Sequence, residues 1–223
     1  MKYLAVLLIC LSLCFSCTST NIDKKNADGS PIWTTIVPES NSLIYGVGSA
    51  KFSTPQNSTN AADAAARADL SRKIESTIKE ATSTYSNDAE GQLLSAYEQI
   101  TLQVVDITLR GIKVEQRWTA EDGTVWSLVS FKAKDVKKNF EIEANKYENK
   151  LIEKKMEIEA KRDNLLAELA KREEDTSALQ AGVIKQANKA ISDLTATSDK
   201  LDVNDLVNAL ASELVALGYT SEE

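Results

Sequence analysis

The chain has 223 residues, 33 of them acidic against 26 basic, and no histidine. A net charge of −7 excludes the basic footprint that nucleic-acid phosphates require, and the lack of histidine removes the commonest general base and metal ligand. All three cysteines fall within LICLSLCFSC, residues 8–17, so whatever follows can build no disulfide framework and must stand on its apolar core.

Met1-Lys2 opens the chain with one positive charge, and an apolar run follows from Tyr3 to Phe15. The run falls short of the ~20 residues a membrane-spanning helix needs, and it fits the core of an export signal. Ser16 supplies the small residue before Cys17, and Leu13 lies four before it. This resembles the lipobox of bacterial lipoproteins, which implies removal of residues 1–16 and a palmitate-type lipid on Cys17 as the new N-terminus. Cys14 departs from the aliphatic residue many lipoboxes carry three before the cysteine. Cys14 and Cys10 themselves follow Leu13 and Ile9, which are not small. The alternative is an ordinary signal peptide cut near Ser16. Cleavage before Cys17 removes Lys2 alone among charged residues, leaving 25 − 33 = −8. Attachment to an anionic membrane would then come from the lipid and not from charge. Residues 17–30, ending TSTNIDKKNADGS, read as a flexible polar tether.

Ile32–Val37 (IWTTIV) and Ser42–Ala50 (SLIYGVGSA) are rich in β-branched and aromatic residues and read as strands. A helix is expected after them, capped by Asn60 with Asp63 in its first turn. Ala62, Ala66, Leu70, Ile74 and Ile78 recur every four residues as its buried stripe. A second helix is expected from about Glu90 to Leu109 on the spacing of Leu93, Tyr97, Ile100, Val104 and Ile107, although ITLQVVDITL (residues 100–109) also has strand propensity. IKVEQRWT and TVWSLVSF around AEDG give a hairpin with an Asp-Gly turn. Alternation places Ile112, Val114 and Trp118 on one face and Lys113, Glu115 and Arg117 on the other. From Asp135 the pattern is helical throughout. Ala144, Leu151, Ile158 and Leu165 recur every seven residues, but Lys154 and Lys161 interrupt the alternate row, so the heptads fall short of a strict coiled coil. Further helices are expected over Ser177–Leu194 and Asn204–Leu217, the last ending at Gly218.

Trp33, the YGVGSA strand end at Tyr45–Ala50, the alanine-spaced segment Ala61–Leu70 and the tryptophan hairpin carrying Trp118 and Trp126 stand in an order that resembles one family. It is the twenty-kilodalton membrane-associated lipoprotein (Lpp-twenty) family of bacteria, and the resemblance covers roughly residues 31–134. It implies an α+β domain with helices packed on one face of a small antiparallel-rich sheet. It also implies residence in the cell envelope, commonly the outer membrane, and supplies no catalytic residues. Residues 135–223 form a helical extension outside it.

Gly46 and Gly48 lack the third glycine of a dinucleotide fingerprint and the Gly-Lys-Ser/Thr of a kinase-type loop, so they are read as permitting a bulge or close helix–sheet packing. Asp63 and Asp69 flank Arg67 and read as an exposed cluster. Trp118 is assigned to the core, and Trp126, on the other face, to a possible ligand or partner surface. No cofactor, metal or nucleic acid is expected. Partners are expected to be the membrane, through the lipid, and a protein or a second copy, through residues 135–223. The favoured role is a non-enzymatic structural or protein-binding one in the envelope, at the outer membrane facing the periplasm. The alternative is a module for a small ligand or peptidoglycan fragment on the sheet around Trp126. Serine–lysine or carboxylate-pair chemistry stays open as a third reading.

Overall fold

The computed structural model describes residues 21–87, 89, 91–172 and 175–220. Cys10, Cys14 and Cys17, with the proposed signal segment, lie outside the described residues.

Strand β1 (Leu43–Ala50) is followed by helix α1 (Pro55–Ala81), a short α2 (Ser83–Asn87) and α3 (Gln92–Gly111). The hairpin β2 (Lys113–Thr119) and β3 (Val125–Lys132) leads directly into α4 (Ala133–Leu169), and α5 (Ser177–Lys200) and α6 (Val203–Ala216) complete the chain. The strands form one antiparallel sheet in the order β1-β3-β2. Helices cover one of its faces, so the α+β architecture is the one expected.

The expected strand over Ile32–Val37 is a 3-10 turn at Ile32–Thr34 instead. Local hydrogen bonds outcompete extension there. Thr34 Oγ1 donates to the Pro31 carbonyl (2.8 Å) and Thr35 Oγ1 to the Ile32 carbonyl (2.9 Å), a Ser/Thr habit that favours turns over strands. The turn drives Trp33, 1% exposed, onto the sheet. Residues 21–30, read as the outer part of a tether, form a second turn. The Asn26 amide donates to Ser30 Oγ and to the Pro31 carbonyl, while Asp28 accepts from the Ser30 N–H and hydroxyl.

Helix α1 starts at Pro55, not near Asn60. Thr54 Oγ1 accepts the Asn57 N–H, and proline occupies the first turn, where its missing N–H costs nothing. The alanine stripe is as expected: Ala62, Ala66, Leu70, Ile74 and Ile78 are all fully buried. Residues 100–109 are helical, and the inward row of α3 ends on Thr108, with Ile107 only half-buried.

The larger apolar core runs from Ile44 and Val129 on the sheet through α1 and α3 to Phe140, Ala144 and Leu151 of α4. It also takes in Leu194 of α5 and Val203, Leu206, Val207, Leu210 and Leu214 of α6. The line drawn at residue 134 is therefore not a boundary of the core. Helix α6 packs on both α1 and α4, and Asp202 caps it by accepting the Asp205 N–H. Just beyond it, the Thr220 N–H reaches the Asn41 carbonyl at 2.6 Å. Beyond Leu151, by contrast, α4 has no fully buried residue, only the half-buried Ile158 still packing against the core, and α5 has none before Ala187. These two stretches form an arm packed chiefly on itself.

Candidate interaction surface

The inner face of the sheet shows why the glycine and alanine motifs stand together. A Cβ built on Gly48 would lie 2.1 Å from the Ala66 nitrogen, and one on Gly46 would lie 2.5 Å from the Ala66 oxygen. Helix α1 thus rests on β1 at backbone distance, the close packing expected of these glycines.

The charged side chains of α1 reinforce that seat. Asp63 receives a two-pronged bond from Arg117 of β2, Nε–Oδ1 at 2.8 Å and Nη2–Oδ2 at 2.6 Å, and a third from Ser127 of β3 at 2.8 Å. Asp69 accepts the Val47 N–H at 3.1 Å, and Lys73 donates to the Tyr45 carbonyl at 2.8 Å and pairs with Asp69. Arg67 donates to the Leu109 carbonyl at 3.1 Å. The cluster read as exposed is therefore a set of ties between helix and sheet, and Asp63 pairs with Arg117, not chiefly with Arg67. Asp69 accepts the Val47 N–H and Lys73 donates to the Tyr45 carbonyl along the outer edge of β1, an edge that would otherwise invite another strand.

These carboxylates are poor bases. The Arg117 hydrogen bond, helped by Ser127, lowers the Asp63 pKa against the opposing effect of burial. Burial would raise that of Asp69, but Lys73, the Val47 N–H and Arg72 outweigh it and the net shift is downward. Ser127 is fully buried and spends its proton on Asp63. Among the described residues no group of three His, Cys, Asp or Glu comes together as a metal site.

The outer face is aromatic. Trp33, Tyr45 and Leu128 are buried there, and Ile22, Leu43, Val47, Trp118 and Trp126 pack around them, half-exposed. Trp33 Nε1 donates to Gln116 Oε1 at 2.8 Å, and the Gln116 amide reaches Asp23 at 3.3 Å. The assignment of Trp118 to the face of Ile112 and Val114 is corrected by a bulge. Register shifts between Val114 and Gln116, so Val114 opposes Val129 on the inner face while Trp118 opposes Trp126 on the outer one. One extra residue, Glu115, inverts the alternation for the rest of the strand. Glu115 itself turns to accept the Ser130 hydroxyl at 2.5 Å. Trp126 does face outward, but as half of a cross-strand tryptophan pair beside the chain's own N-terminal turn.

The remaining openings are shallow. One, of about 320 Å³ between α3 and α4, is lined by Gln99, Tyr147, Leu151, Glu157 and three lysine or glutamate side chains between them. None of the described helices is long and apolar enough to cross a membrane. Apolar side chains on the arm face solvent: Met156 is 63% exposed, Leu179 56% and Leu165 48%, with Ile152 and Ile184 also exposed.

No curated protein matches the chain. The inner-face glycines, the Asp63–Arg117 tie and the aromatic outer face all fall within residues 31–132, and over those residues the chain matches the LPP20 lipoprotein family, which supports a bacterial lipoprotein associated with the cell-envelope membrane.

Proposed function

We propose that this is a lipid-anchored envelope protein, held by Cys17, whose role is non-enzymatic: it binds another protein through the arm formed by the distal parts of α4 and α5. The exposed apolar side chains of the arm, Ile152, Met156, Leu165, Leu179 and Ile184, carry this reading. A helix pair that leaves such side chains in water gains by covering them with a partner helix or groove. The absence of histidine and the saturated state of Asp63 support a role without catalysis. The alternative ligand site around Trp126 has weaker support, because the turn at Ile22–Trp33 already occupies the outer face. An outer-membrane, periplasm-facing location is part of the proposal.

Photo-crosslinking side chains at positions 156 and 179, compared with position 52, test it in growing cells. The arm positions should each give the same discrete adduct, and the adduct from position 179 should be lost in Met156→Lys, while position 52 gives none. Equal adducts at all three positions, or none from the arm, would refute arm-mediated binding.

A further inference from the structure

From the way the N-terminal turn is fastened, we infer that the outer face of the sheet is seated on the lipid bilayer itself. The inference rests on the reading that Cys17 bears the lipid. A tether spanning residues 17–30 would let the domain drift well clear of the membrane. The structure shortens that tether. Ile22 already packs against the outer-face cluster, Asp23 is tied to Gln116, and Lys25 bridges to Pro31. Only four peptide steps, from Cys17 to Asn21, remain for slack, and four extended residues reach at most about 14 Å. The first fastened residues lie on the outer face, so that face is the part of the protein nearest the acylated cysteine.

The chemistry of the face suits that position. All three tryptophans of the chain lie on it, Trp118 and Trp126 half-exposed, and indole is the side chain that prefers the boundary between headgroups and hydrocarbon. Ile36, 63% exposed, and Val37 follow the covering turn with no share in the core. Exposed Lys24 and Lys25 balance Asp23 and Asp28 in the same segment, so the stretch closest to the anchor carries none of the chain's acidic excess to repel anionic headgroups. The helix layer, from which the arm extends, packs on the opposite face of the sheet.

The test uses the full lipidated protein in phosphatidylethanolamine/phosphatidylglycerol vesicles. With Cys17 acylated and the other cysteines removed with the signal, a cysteine introduced by Ile36→Cys or Leu179→Cys is the single free thiol for a fluorophore. Nitroxide-labelled lipids should quench the probe at position 36 strongly and the probe at position 179 hardly at all. A roughly 40-residue Gly/Ser insertion between Thr20 and Asn21, with an r.m.s. span of about 35 Å, should abolish most of the quenching at 36 while flotation with vesicles is unchanged. Flotation without quenching at 36 overturns the inference and leaves the anchor standing. Self-transfer between probes at 36 without lipid quenching also overturns it, and assigns the face to a second copy. Palmitate labelling that persists in Cys17→Ala defeats the anchor, and the inference with it.

Discussion

Gly48→Ala is the sharpest probe of how α1 meets the sheet. The added methyl would stand 2.1 Å from the Ala66 nitrogen and 2.5 Å from the Ala65 carbonyl carbon, both backbone atoms that cannot rotate away. Ordinary contact begins near 3.4 Å, so the helix must lift by 3.4 − 2.1 = 1.3 Å at that point. Lifting it loosens the packing of Ala62, Ala66 and Leu70 and stretches the bonds of Asp63 to Arg117 and of Asp69 to Val47. Overpacking of this kind costs about 3 kcal/mol, the upper end of its usual range, because no side chain can yield. In a protein of this size the melting temperature should fall by roughly 6–12 °C. Urea unfolding followed by circular dichroism gives the free energy, and Gly182→Ala is the control. Gly182 lies in α5 with nothing within 4 Å of its would-be Cβ, so alanine there should stabilise by about 0.4–1 kcal/mol. Adding Ala65→Gly to Gly48→Ala should restore nothing, since it relieves one side-chain contact at 2.7 Å, leaves the backbone clashes and itself costs about 0.8–1 kcal/mol inside the helix. A Gly48→Ala midpoint equal to that of the parent would refute the backbone-distance seat of α1.

Leu210→Ala, at a fully buried site in α6, should cost about 2–5 kcal/mol, whereas Leu165→Ala on the arm should stay within about 0.5 kcal/mol; equal losses in urea titrations would contradict the division between core and arm. Asp63 has a lowered pKa when folded, so its charged bonds to Arg117 and Ser127 add stability above the unfolded carboxylate value, and this is lost as pH falls through the folded value. Asp63→Asn should therefore lower stability by about 1.5–3 kcal/mol at pH 7, with the gap to the parent closing as acid protonates the parent's carboxylate; a gap that is constant with pH would contradict the assignment.

The parts of the fold legible in the sequence are those where a residue's type and spacing settle its environment alone. The four-residue rhythm from Ala62 to Ile78 marked a face narrow enough to lie flat on glycines, and α1 lies there. The heptad Ala144, Leu151, Ile158, Leu165 gave the helix but not its environment. Its members pass from fully buried through half-buried to 48% exposed as α4 leaves the core, a gradient that position within the fold sets and sequence does not display. Ile32–Val37 has strand composition, yet the outer face of the sheet needed a plug, and tertiary demand on Trp33 prevailed over propensity. The partnership of Trp118 with Trp126 was hidden by Glu115, since a bulge leaves no mark in an alternating pattern except the reversal it causes. Asp63 and Asp69 were visible as charges. Their partners Arg117 and Val47 lie 54 and 22 residues away, a pairing that only the folded topology supplies.

Helix α6 has a consequence for how the protein comes into being. Val203, Leu206, Val207, Leu210 and Leu214 close a core whose other walls, α1, α3 and the sheet, were synthesised well before them. A chain delivered N-terminus first across a membrane would present those walls as an open apolar trough until residues 203–214 arrived. With Cys17 acylated as proposed, acylation would precede closure by α6, so folding would proceed on a polypeptide already fixed to the bilayer. Loss of residues 203–216 would then be more damaging than loss of the whole distal arm. The first removes the closing wall of the core, and the second removes a projection that the core does not use.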